Sequence, residues 1–337
     1  MEQNKQIGHL LSKPQEIVIT SHRNPDGDAL GSSIGLSFYL KKLLHNVKVI
    51  MPSDYPYNFE WMPDIQEVVI YDQHREEAKR LIEGADIIFC LDYNSLDRVD
   101  KMGVFIQNSN ADKIMIDHHM DPEPFVDFMI SDTSASSTSE MVFEFIVDQG
   151  HEDKLDKVIA NCLYAGILTD TGSFRHNTSV RLYEIVATLK KLDMDNLLVH
   201  DHIYNNMAEK HIRLIGHCLN NRMEILEEFD TGIIYLTKED YKNFDIQRGD
   251  TEGIVNYLMM LRNVRLAAFI TEQPTIVKLS LRSKGDLSVQ KLAKEQFNGG
   301  GHKNASGGYS HQSLKATIDK FKSALPHYVN APPIMNS

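Results

Sequence analysis

The sequence predicts an α/β protein in which a mainly parallel-sheet N-terminal domain is joined by a helical connector to a smaller α/β C-terminal domain. Three observations support this fold class. Short apolar runs alternate with stretches of helical periodicity through the first half of the 337 residues, a pattern typical of a parallel sheet covered on both faces. A helical stretch rich in His, Asn and charge follows, without a strand pattern. Strand-like runs then begin again and lead into a late amphipathic helix.

The N-terminal domain is predicted over residues 1–192. Strands are predicted where apolar residues form short runs, at residues 17–19, 47–51, 87–91 and 113–116. Helices are predicted where apolar residues recur three and four positions apart, over residues 138–147, 155–168 and 180–192. This alternation of strand and helix predicts parallel strands linked by helical crossovers.

The connector is predicted over residues 193–225, and the C-terminal domain over residues 226–330. In that domain, apolar runs predict strands at residues 232–237, 264–270 and 275–281. A late helix is indicated by the spacing of Leu314, Ile318, Phe321 and Leu325. Residues 331–337 are expected to form a flexible tail.

Composition and charge exclude several classes of protein. The formal net charge of −12 gives no broad basic face of the kind that binds long nucleic acid through counterion release. The three cysteines, Cys90, Cys162 and Cys218, lie far apart in the sequence, which argues against a disulfide framework and against a thiolate metal site. Residues 1–13 are polar and lack the apolar core of a signal peptide, and no apolar run approaches the ~18 residues that suggest a membrane-spanning helix. We therefore expect a cytoplasmic protein without a membrane partner.

Acidic and imidazole side chains follow three of the predicted strands. The carboxyl ends of parallel strands lie along one edge of the sheet, where such folds bind ligands. We therefore expect these side chains to converge on one pocket, although they are distant in the sequence. They are His22, Asp26 and Asp28 after the first strand, Asp92 after the third, and Asp117, His118 and His119 after the fourth.

A further aspartate, Asp170, ends the apolar helix predicted over residues 155–168 and precedes Thr-Gly. Each feature also has an ordinary structural explanation, because Pro-Asp-Gly is common in surface turns, aspartates often cap helices and buried histidines often only satisfy a core hydrogen bond. Together, the aspartates and histidines supply mainly hard oxygen ligands with some nitrogen. Such a set suits Mn²⁺ or Mg²⁺ better than a structural zinc.

The motif His22-x-x-x-Asp26-x-Asp28, followed by Asp92, by Asp117-His118-His119 and by Asp170, resembles the four successive motifs of the DHH phosphoesterase family. The resemblance implies two divalent cations, with Mn²⁺ expected and Mg²⁺ as the alternative. It implies one cation held by His22, Asp26 and Asp92. It implies a second cation held by a set that shares Asp92, namely Asp28, Asp92, His118 and Asp170.

The same resemblance assigns catalytic roles to Asp92, which would bridge the two cations, and to His119, which would donate to phosphate or carry a proton. Asp117 is expected to orient a ligand and not to bind metal itself. Two bound cations would lower the pKa of a water and clamp the phosphoryl oxygens.

The C-terminal half resembles the DHH-associated substrate domain at residues 280–283 and 299–307. A glycine run on its own is often only a flexible turn. Here it lies beside cationic and imidazole side chains, and it is therefore predicted to cradle an anion, since glycines allow backbone N–H groups to approach phosphate. The predicted substrate-binding residues are Arg282, Gly300, Gly301, His302 and Lys303. Arg98 and Arg175 could also contact phosphate, but surface salt bridges are an equally good explanation for both.

The resemblance to the compact two-domain members implies hydrolysis of very short RNA (nanoRNA) and of 3′-phosphoadenosine 5′-phosphate (pAp), which would yield AMP. A first alternative is hydrolysis of linear or cyclic dinucleotides. Inorganic pyrophosphatase, exopolyphosphatase and a non-catalytic nucleotide sensor are weaker alternatives. The expected partner is a short RNA or a small nucleotide, and the sequence leaves the oligomeric state open, a homodimer included.

Overall fold

The computed structural model describes residues 2–247 and 249–329. The chain divides into two compact units, Met1–Asn206 and Met207–Ser337, which are described separately. The predicted tail at residues 331–337 lies outside the described residues. Among the described residues, no helix is long and apolar enough to cross a membrane.

A six-stranded sheet forms the centre of the first unit, in the order β3-β2-β1-β4-β5-β6, and every neighbouring pair is parallel. This confirms the predicted fold class. The strands are β1 Glu16–Thr20, β2 Asn46–Met51, β3 Val69–Ile70, β4 Ile87–Leu91, β5 Asp112–Asp117 and β6 Phe128–Ser131. The helices are α1 Glu2–Leu10, α2 Gly27–Lys42, α3 Arg75–Glu83, α4 Gly103–Asn108, α5 Thr138–Asp148, α6 Lys157–Asp170, α7 Val180–Lys191 and α8 Asn196–Tyr204.

Side chains alternate across this sheet and build a core on each face. Ile17 and Ile19 of β1 face a core that includes residues of α2, α5 and α6, whereas Val18 faces a second core with residues of α3 and α4. Because both faces are covered, the strands are apolar almost throughout. The chain moves from β1 outward to β3 and then returns to β4 beside β1, so the strand order reverses between β1 and β4. Such a switch point is where open α/β sheets bind ligands.

A second six-stranded sheet, in the order β11-β12-β10-β9-β8-β7, forms the centre of the other unit. Among the described strands of this unit, β8 and β9 pair in parallel and the other neighbouring pairs are antiparallel. The strands are β7 Met223–Leu226, β8 Thr231–Leu236, β9 Leu266–Glu272, β10 Val277–Ser283, β11 Gly300–His302 and β12 Ala305–Ser310. The helices are α9 Glu209–Asn221, α10 Lys238–Asn243, α11 Ile254–Met259, α12 Val289–Gln296 and α13 Leu314–Val329.

The stretch predicted as a connector, residues 193–225, is shared between the two units. Val199 of α8 is buried in the core of the first unit. Leu214 and Cys218 of α9 are buried in a core of the second unit. Residues 223–225 belong to strand β7, which the sequence pattern did not indicate. Helices α8 and α9 occupy most of this stretch. They pack into different cores because the apolar residues of α8 face the first sheet and those of α9 face the second.

Candidate metal centre and substrate-binding strands

The residues after β1 and β4 meet at the point where the strand order reverses. His22 follows β1, and Asp92 follows β4 directly. Nε2 of His22 lies 3.2 Å from Oδ2 of Asp92. The Asp92 backbone adopts a left-handed conformation with φ of 62°, and its N–H donates to the carbonyl of Ile116. Positive φ is uncommon for a residue other than glycine and is often found at functional sites.

The Asp92 carboxylate contacts histidines through both oxygens. Its Oδ1 lies 3.5 Å from Nε2 of His118 and 3.7 Å from Nδ1 of His119, while its Oδ2 faces His22. The side chain is almost fully buried. One carboxylate therefore presents its two oxygens to two separate sets of nitrogen ligands, which is the geometry that a bridging ligand requires.

Asp26 and Asp28 are held by the beginnings of two helices. Asp26 is the N-cap of α2, where its Oδ1 accepts hydrogen bonds from the N–H groups of Asp28 and Ala29. The same oxygen lies 3.8 Å from Nε2 of His22. Asp28 accepts the N–H of Thr138 at 2.6 Å and the N–H of Ser139 at 2.8 Å, both from the first turn of α5. Helix N-termini favour carboxylates because unpaired N–H groups point toward them.

Asp170 is the last residue of α6, and its Oδ2 lies 3.2 Å from Nε2 of His118. Helices α2 and α6 approach one another through glycines. A Cβ on Gly31 would clash with the carbonyl oxygen of Cys162, and a Cβ on Gly166 would lie 2.5 Å from Oδ1 of Asp28. This close approach brings Asp28, near the start of α2, toward Asp170 at the end of α6.

Asp117 contacts His119 and is fully buried. Its Oδ1 lies 2.8 Å from Nδ1 of His119, and its Oδ2 accepts the backbone N–H of the same residue. Two hydrogen bonds thus fix the orientation of the His119 ring. The expectation that Asp117 orients a ligand and does not itself bind metal stays a prediction.

The electrostatics of the cluster are dominated by burial and by mutual charge. Burial raises the pKa of Asp28 well above its usual value, and the charges of Asp92 and Asp170 raise it further. Burial and neighbouring carboxylates raise the pKa of Asp170 to about 6. Burial opposes ionisation of Asp92 too, but hydrogen bonds to His118 and His22 outweigh it and hold its pKa well below its usual range.

The pKa values of the two buried histidines, His118 and His22, are raised. Burial lowers the pKa of His118, but hydrogen bonds to Asp170 and Asp92 and their negative charges outweigh burial and raise it to about 12. The pKa of His22 is also raised, because its hydrogen bonds to Asp26 and Asp92 outweigh burial. Imidazolium ions therefore compensate the carboxylates when no cation does, and a metal must displace their protons to bind.

The arrangement fits divalent cations. Within the part of the chain that the structure describes, three groups each place one ligand atom per residue within 4.8 Å of one another: His22, Asp26 and Asp92; Asp28, His118 and Asp170; and Asp92, His118 and His119. Asp92 and His118 each belong to two of these groups. Oxygen and imidazole donors of this kind suit Mn²⁺ and Mg²⁺. The third group brings His119 close enough to be a ligand, a role that the sequence pattern did not indicate.

Exposure shows which side of the cluster faces solvent. The side chains of Asp26, Asp170 and His119 are 44%, 23% and 16% exposed, whereas those of His22, Asp92 and His118 are below 10%. The centre is thus deep on one side and open on the side of Asp26 and Asp170. A substrate would enter on that side.

The residues predicted to bind substrate lie in the second unit. Strand register aligns Arg282 of β10 with Ala305 of β12, and Ala305 with His302 of β11. Residues paired across neighbouring strands share a face of the sheet, so Arg282 and His302 flank one small residue on the same face. Burial lowers the pKa of the Arg282 guanidinium.

The glycine run forms part of a strand, and its role in cradling an anion stays a prediction. Gly300 and Gly301 form strand β11, which pairs with β12, and the turn falls at Lys303 and Asn304. Gly301 has φ of +133°, and a Cβ there would lie 2.7 Å from the carbonyl oxygen of Ala305. Nothing lies within 4 Å of a Cβ built on Gly300. Lys303 forms an exposed ion pair with Asp286 at 2.8 Å.

The sequence did not predict that the first turn of α5 donates hydrogen bonds to the candidate metal ligands. Thr138 donates from Oγ1 to Asp92 and from its backbone to Asp28, yet it carries no charge that would mark it as functional. One signal was available. Ser137 caps α5, and Glu140 follows three residues later, a spacing typical of a helix start. The pattern indicates where a helix begins but not what its first N–H groups bind.

Comparisons with known proteins agree with this geometry. Residues 16–167 match the family model of the DHH family N-terminal domain, and residues 230–331 match that of the DHHA1 domain. The chain is 30% identical over 297 residues to a probable bifunctional oligoribonuclease and PAP phosphatase NrnA of Streptococcus mutans, covering 88% of this chain and 89% of the relative. The chain belongs to the DHH family.

Two further relatives extend the comparison. A bifunctional oligoribonuclease and PAP phosphatase NrnA of Bacillus subtilis is 28% identical over 299 residues, which cover 88% of this chain and 90% of the relative. A crystal structure of an exopolyphosphatase-related protein from Bacteroides fragilis is 39% identical, with a TM-score of 0.94, and covers 97% of this chain and 96% of that chain. Members of the DHH family are metal-dependent phosphoesterases, so this chain is a hydrolase acting on phosphoester bonds.

Proposed function

We propose that this DHH-family phosphoesterase hydrolyses short oligoribonucleotides and also removes the 3′-phosphate of pAp to give AMP. The observation that carries the proposal is the pair of ligand groups that share Asp92, in a chain similar over 88% of its length to relatives named for these two activities. The net charge of −12 favours short substrates over long nucleic acid.

Two divalent cations, with Mn²⁺ proposed over Mg²⁺, are assigned to the cluster. His22, Asp26 and Asp92 would hold one. Asp28, Asp92, His118 and Asp170 would hold the other, with Asp92 shared. When bound, such a pair lowers the pKa of a water and neutralises the phosphoryl oxygens. The two imidazoles among these ligands favour Mn²⁺, since Mg²⁺ prefers oxygen donors and retains its waters.

The chain's own residues supply positioning and proton transfer. Asp117 fixes the ring of His119 through Nδ1, and we assign the opposite ring nitrogen to a phosphoryl oxygen of the substrate or to the leaving oxygen. Thr138 and the first turn of α5 hold Asp28 and Asp92. Burial of these ligands excludes bulk water from the deep side of the cluster, which strengthens the electrostatic interactions inside it.

Arg282 and His302 are assigned to the phosphate that is not cleaved. They share a face of the sheet on either side of Ala305, and Arg282 can offer two parallel N–H groups to one phosphate. Lys303 would exchange its exposed partner Asp286 for the substrate, because exposed ion pairs contribute little free energy. The N–H groups of Gly300 and Gly301 are assigned to the same anion.

The test is a panel of initial rates with Mn²⁺ and with Mg²⁺. The substrates are pAp, di- to pentaribonucleotides, linear and cyclic dinucleotides, pyrophosphate and polyphosphate. Turnover of both pAp and short RNA at comparable kcat/KM supports the proposal. If only linear or cyclic dinucleotides were hydrolysed, the alternative activity, dinucleotide hydrolysis, would be favoured. If pyrophosphate were the best substrate and nucleotides were not hydrolysed, the proposal would be overturned.

A further inference from the structure

A short loop follows the ligand candidate at the open side of the metal centre. Asp170 is part exposed at that opening, and residues 171–179 connect it to the start of α7. Thr171 is fully buried and organises the loop. Its Oγ1 accepts the N–H of Phe174, and its carbonyl oxygen accepts the N–H groups of Arg175 and His176.

The loop presents an aromatic ring in a defined position. Ser173 and Phe174 both have left-handed backbones, with φ of 61° and 62°, a conformation that costs free energy in residues other than glycine. The ring centroid of Phe174 lies 6.0 Å from that of Tyr164, which is buried. The Phe174 ring also stacks on Tyr183, at 5.8 Å between centroids and 25° between planes.

The stack ends at the surface. Tyr183 lies on the first turns of α7 and is 51% exposed. The three rings thus run from the core at Tyr164, through Phe174, to solvent at Tyr183.

An arginine follows the central ring of this group in the chain. Arg175 follows Phe174 and is exposed, and among the described residues it has no carboxylate within ion-pair distance. The nearby Arg181 is different, since Asp132, Glu140 and Glu144 all pair with it. In a chain with net charge of −12, an arginine without a carboxylate partner beside exposed aromatic rings is a candidate for binding an anion.

We propose that Phe174, Tyr183 and Arg175 form a subsite for the second nucleotide of a short single-stranded RNA. Tyr183 would stack on the base, Phe174 would support Tyr183 from behind, and Arg175 would contact the backbone phosphate of that nucleotide. Stacking on aromatic side chains accepts every base, because each base has a π face. Arginine beside the rings adds charge without sequence preference.

This subsite deepens the proposed function and rests on it. It accounts for how one metal centre could serve both RNA and a mononucleotide. A substrate with a single nucleoside, such as pAp, has no second base to place on Tyr183. Oligoribonucleotides therefore gain binding from the subsite and pAp does not.

The experiment compares kcat/KM for a triribonucleotide and for pAp in the full chain with Mn²⁺. Tyr183→Leu keeps an apolar side chain but removes the ring, and Arg175→Gln removes the charge. We expect each to lower kcat/KM for the trinucleotide by about tenfold or more, mainly through KM, with pAp unchanged. Tyr183→Phe retains the ring and should retain activity. Arg213→Gln, at an exposed arginine paired with Glu209, is the matched charge control and should change neither substrate.

A second measurement reports binding without turnover. A trinucleotide with a non-hydrolysable linkage and 2-aminopurine at its second position should lose fluorescence on binding to the wild-type chain, since stacking quenches this base. The quenching should disappear in Tyr183→Leu and persist in Tyr183→Phe. Equal losses on RNA and pAp, or unchanged KM and quenching in Tyr183→Leu, would overturn the subsite. A wild-type chain that hydrolyses neither RNA nor pAp would instead refute the proposed function.

Discussion

The hydroxyl of Thr138 donates a hydrogen bond of 3.1 Å to Oδ1 of Asp92. The backbone N–H of the same residue donates to Asp28 at 2.6 Å, so one uncharged residue orients two carboxylates of the cluster. Thr138→Val keeps the shape and the backbone donor but removes the hydroxyl. We expect this change to lower Mn²⁺ affinity by about 10- to 100-fold, the usual effect of losing a partner that orients a metal ligand.

Calorimetric titration of the metal-free protein with Mn²⁺ measures this affinity directly. Thr138→Ser restores a hydroxyl and should recover most of it. Thr317→Val is the matched control, because Thr317 is buried in α13 and its hydroxyl has no hydrogen-bond partner among the residues that the structure describes. If Thr138→Val binds Mn²⁺ as tightly as the wild type, the hydroxyl has no positioning role.

Asp92→Ala should abolish turnover of pAp and reduce the bound metal below two ions per chain. The reason is that Asp92 presents one oxygen to His22 and the other to His118 and His119, so that its loss removes a ligand from both assigned positions. Initial rates and metal content by mass spectrometry check the prediction. Two bound metals with a near-normal rate would contradict the bridging role.

Chelation of the metals should lower the melting temperature of the chain. A ligand that binds only the folded state at 100 times its Kd stabilises that state by about 2.7 kcal/mol per site. Calorimetry with and without excess EDTA measures the shift, and readdition of Mn²⁺ should reverse it. Asp92→Ala is the control, since a chain without the metal pair should respond much less to EDTA. Identical melting of the wild type under both conditions would argue against metal at this cluster.

Arg282→Ala should lower kcat/KM for pAp far more than for p-nitrophenyl phosphate. A charge-assisted hydrogen bond to phosphate contributes about 1.5–3 kcal/mol, and the generic ester has no second phosphate to use it. His302→Ala should also lower kcat/KM for pAp more than for p-nitrophenyl phosphate. Comparing both substrates in each variant separates recognition from chemistry, since equal losses on the two esters would assign these residues to the reaction itself.

Acid should destabilise the second unit through Asp240. Burial raises the pKa of this carboxyl, but hydrogen bonds from Arg222 and Thr237 outweigh burial and lower it to about 2. The unfolded chain, whose aspartates titrate near ~3.9, therefore binds more protons than the folded chain between about pH 4 and 2. The stabilisation is complete above pH 4 and is lost as the pH falls through this window.

Urea unfolding from pH 6 to pH 2, followed by a spectroscopic signal of the second unit, measures the effect. Asp240→Asn should be less stable at pH 6 and should lose less stability on acidification than the wild type. Asp319→Asn, at an exposed aspartate of α13, is the control and should follow the wild type. Parallel stability curves for wild type and Asp240→Asn would show that the pair with Arg222 does not produce the acid sensitivity.

The first sheet and the convergence of the cluster could be predicted from sequence because both depend on strand ends. Once the runs at residues 17–19 and 87–91 are read as parallel strands, His22 and Asp92 must lie at one edge of the sheet. Strands β3 and β6 were not predicted, although each lies in a short apolar run, at residues 68–71 and 128–130. β3 has only two residues and β6 is only partly buried, and a short apolar run does not by itself distinguish a strand from other buried structure.

Other features could not be read from the chain because they arise only from contacts distant in sequence. Thr138 contacts Asp28, which lies 110 positions earlier in the sequence, and the contacts of Phe174 with Tyr164 and Tyr183 depend on how α6 and α7 pack. The glycine run at residues 299–301 was ambiguous for a different reason. Glycine permits a loop and a strand alike, and the pairing with β12 decided between them.

The glycines between α2 and α6 have a consequence for how this protein can change. Gly31 and Gly166 leave no room for a methyl group, and the distance between the helices sets where Asp28 and Asp170 meet. In a library randomised along both helices and selected for activity, these two positions should remain glycine, although neither has a side chain that could take part in the chemistry. Substitutions should be tolerated at most surface positions of the two helices, but not where their backbones are in contact. The spacing between Asp28 and Asp170 thus depends on two residues that have no side chain.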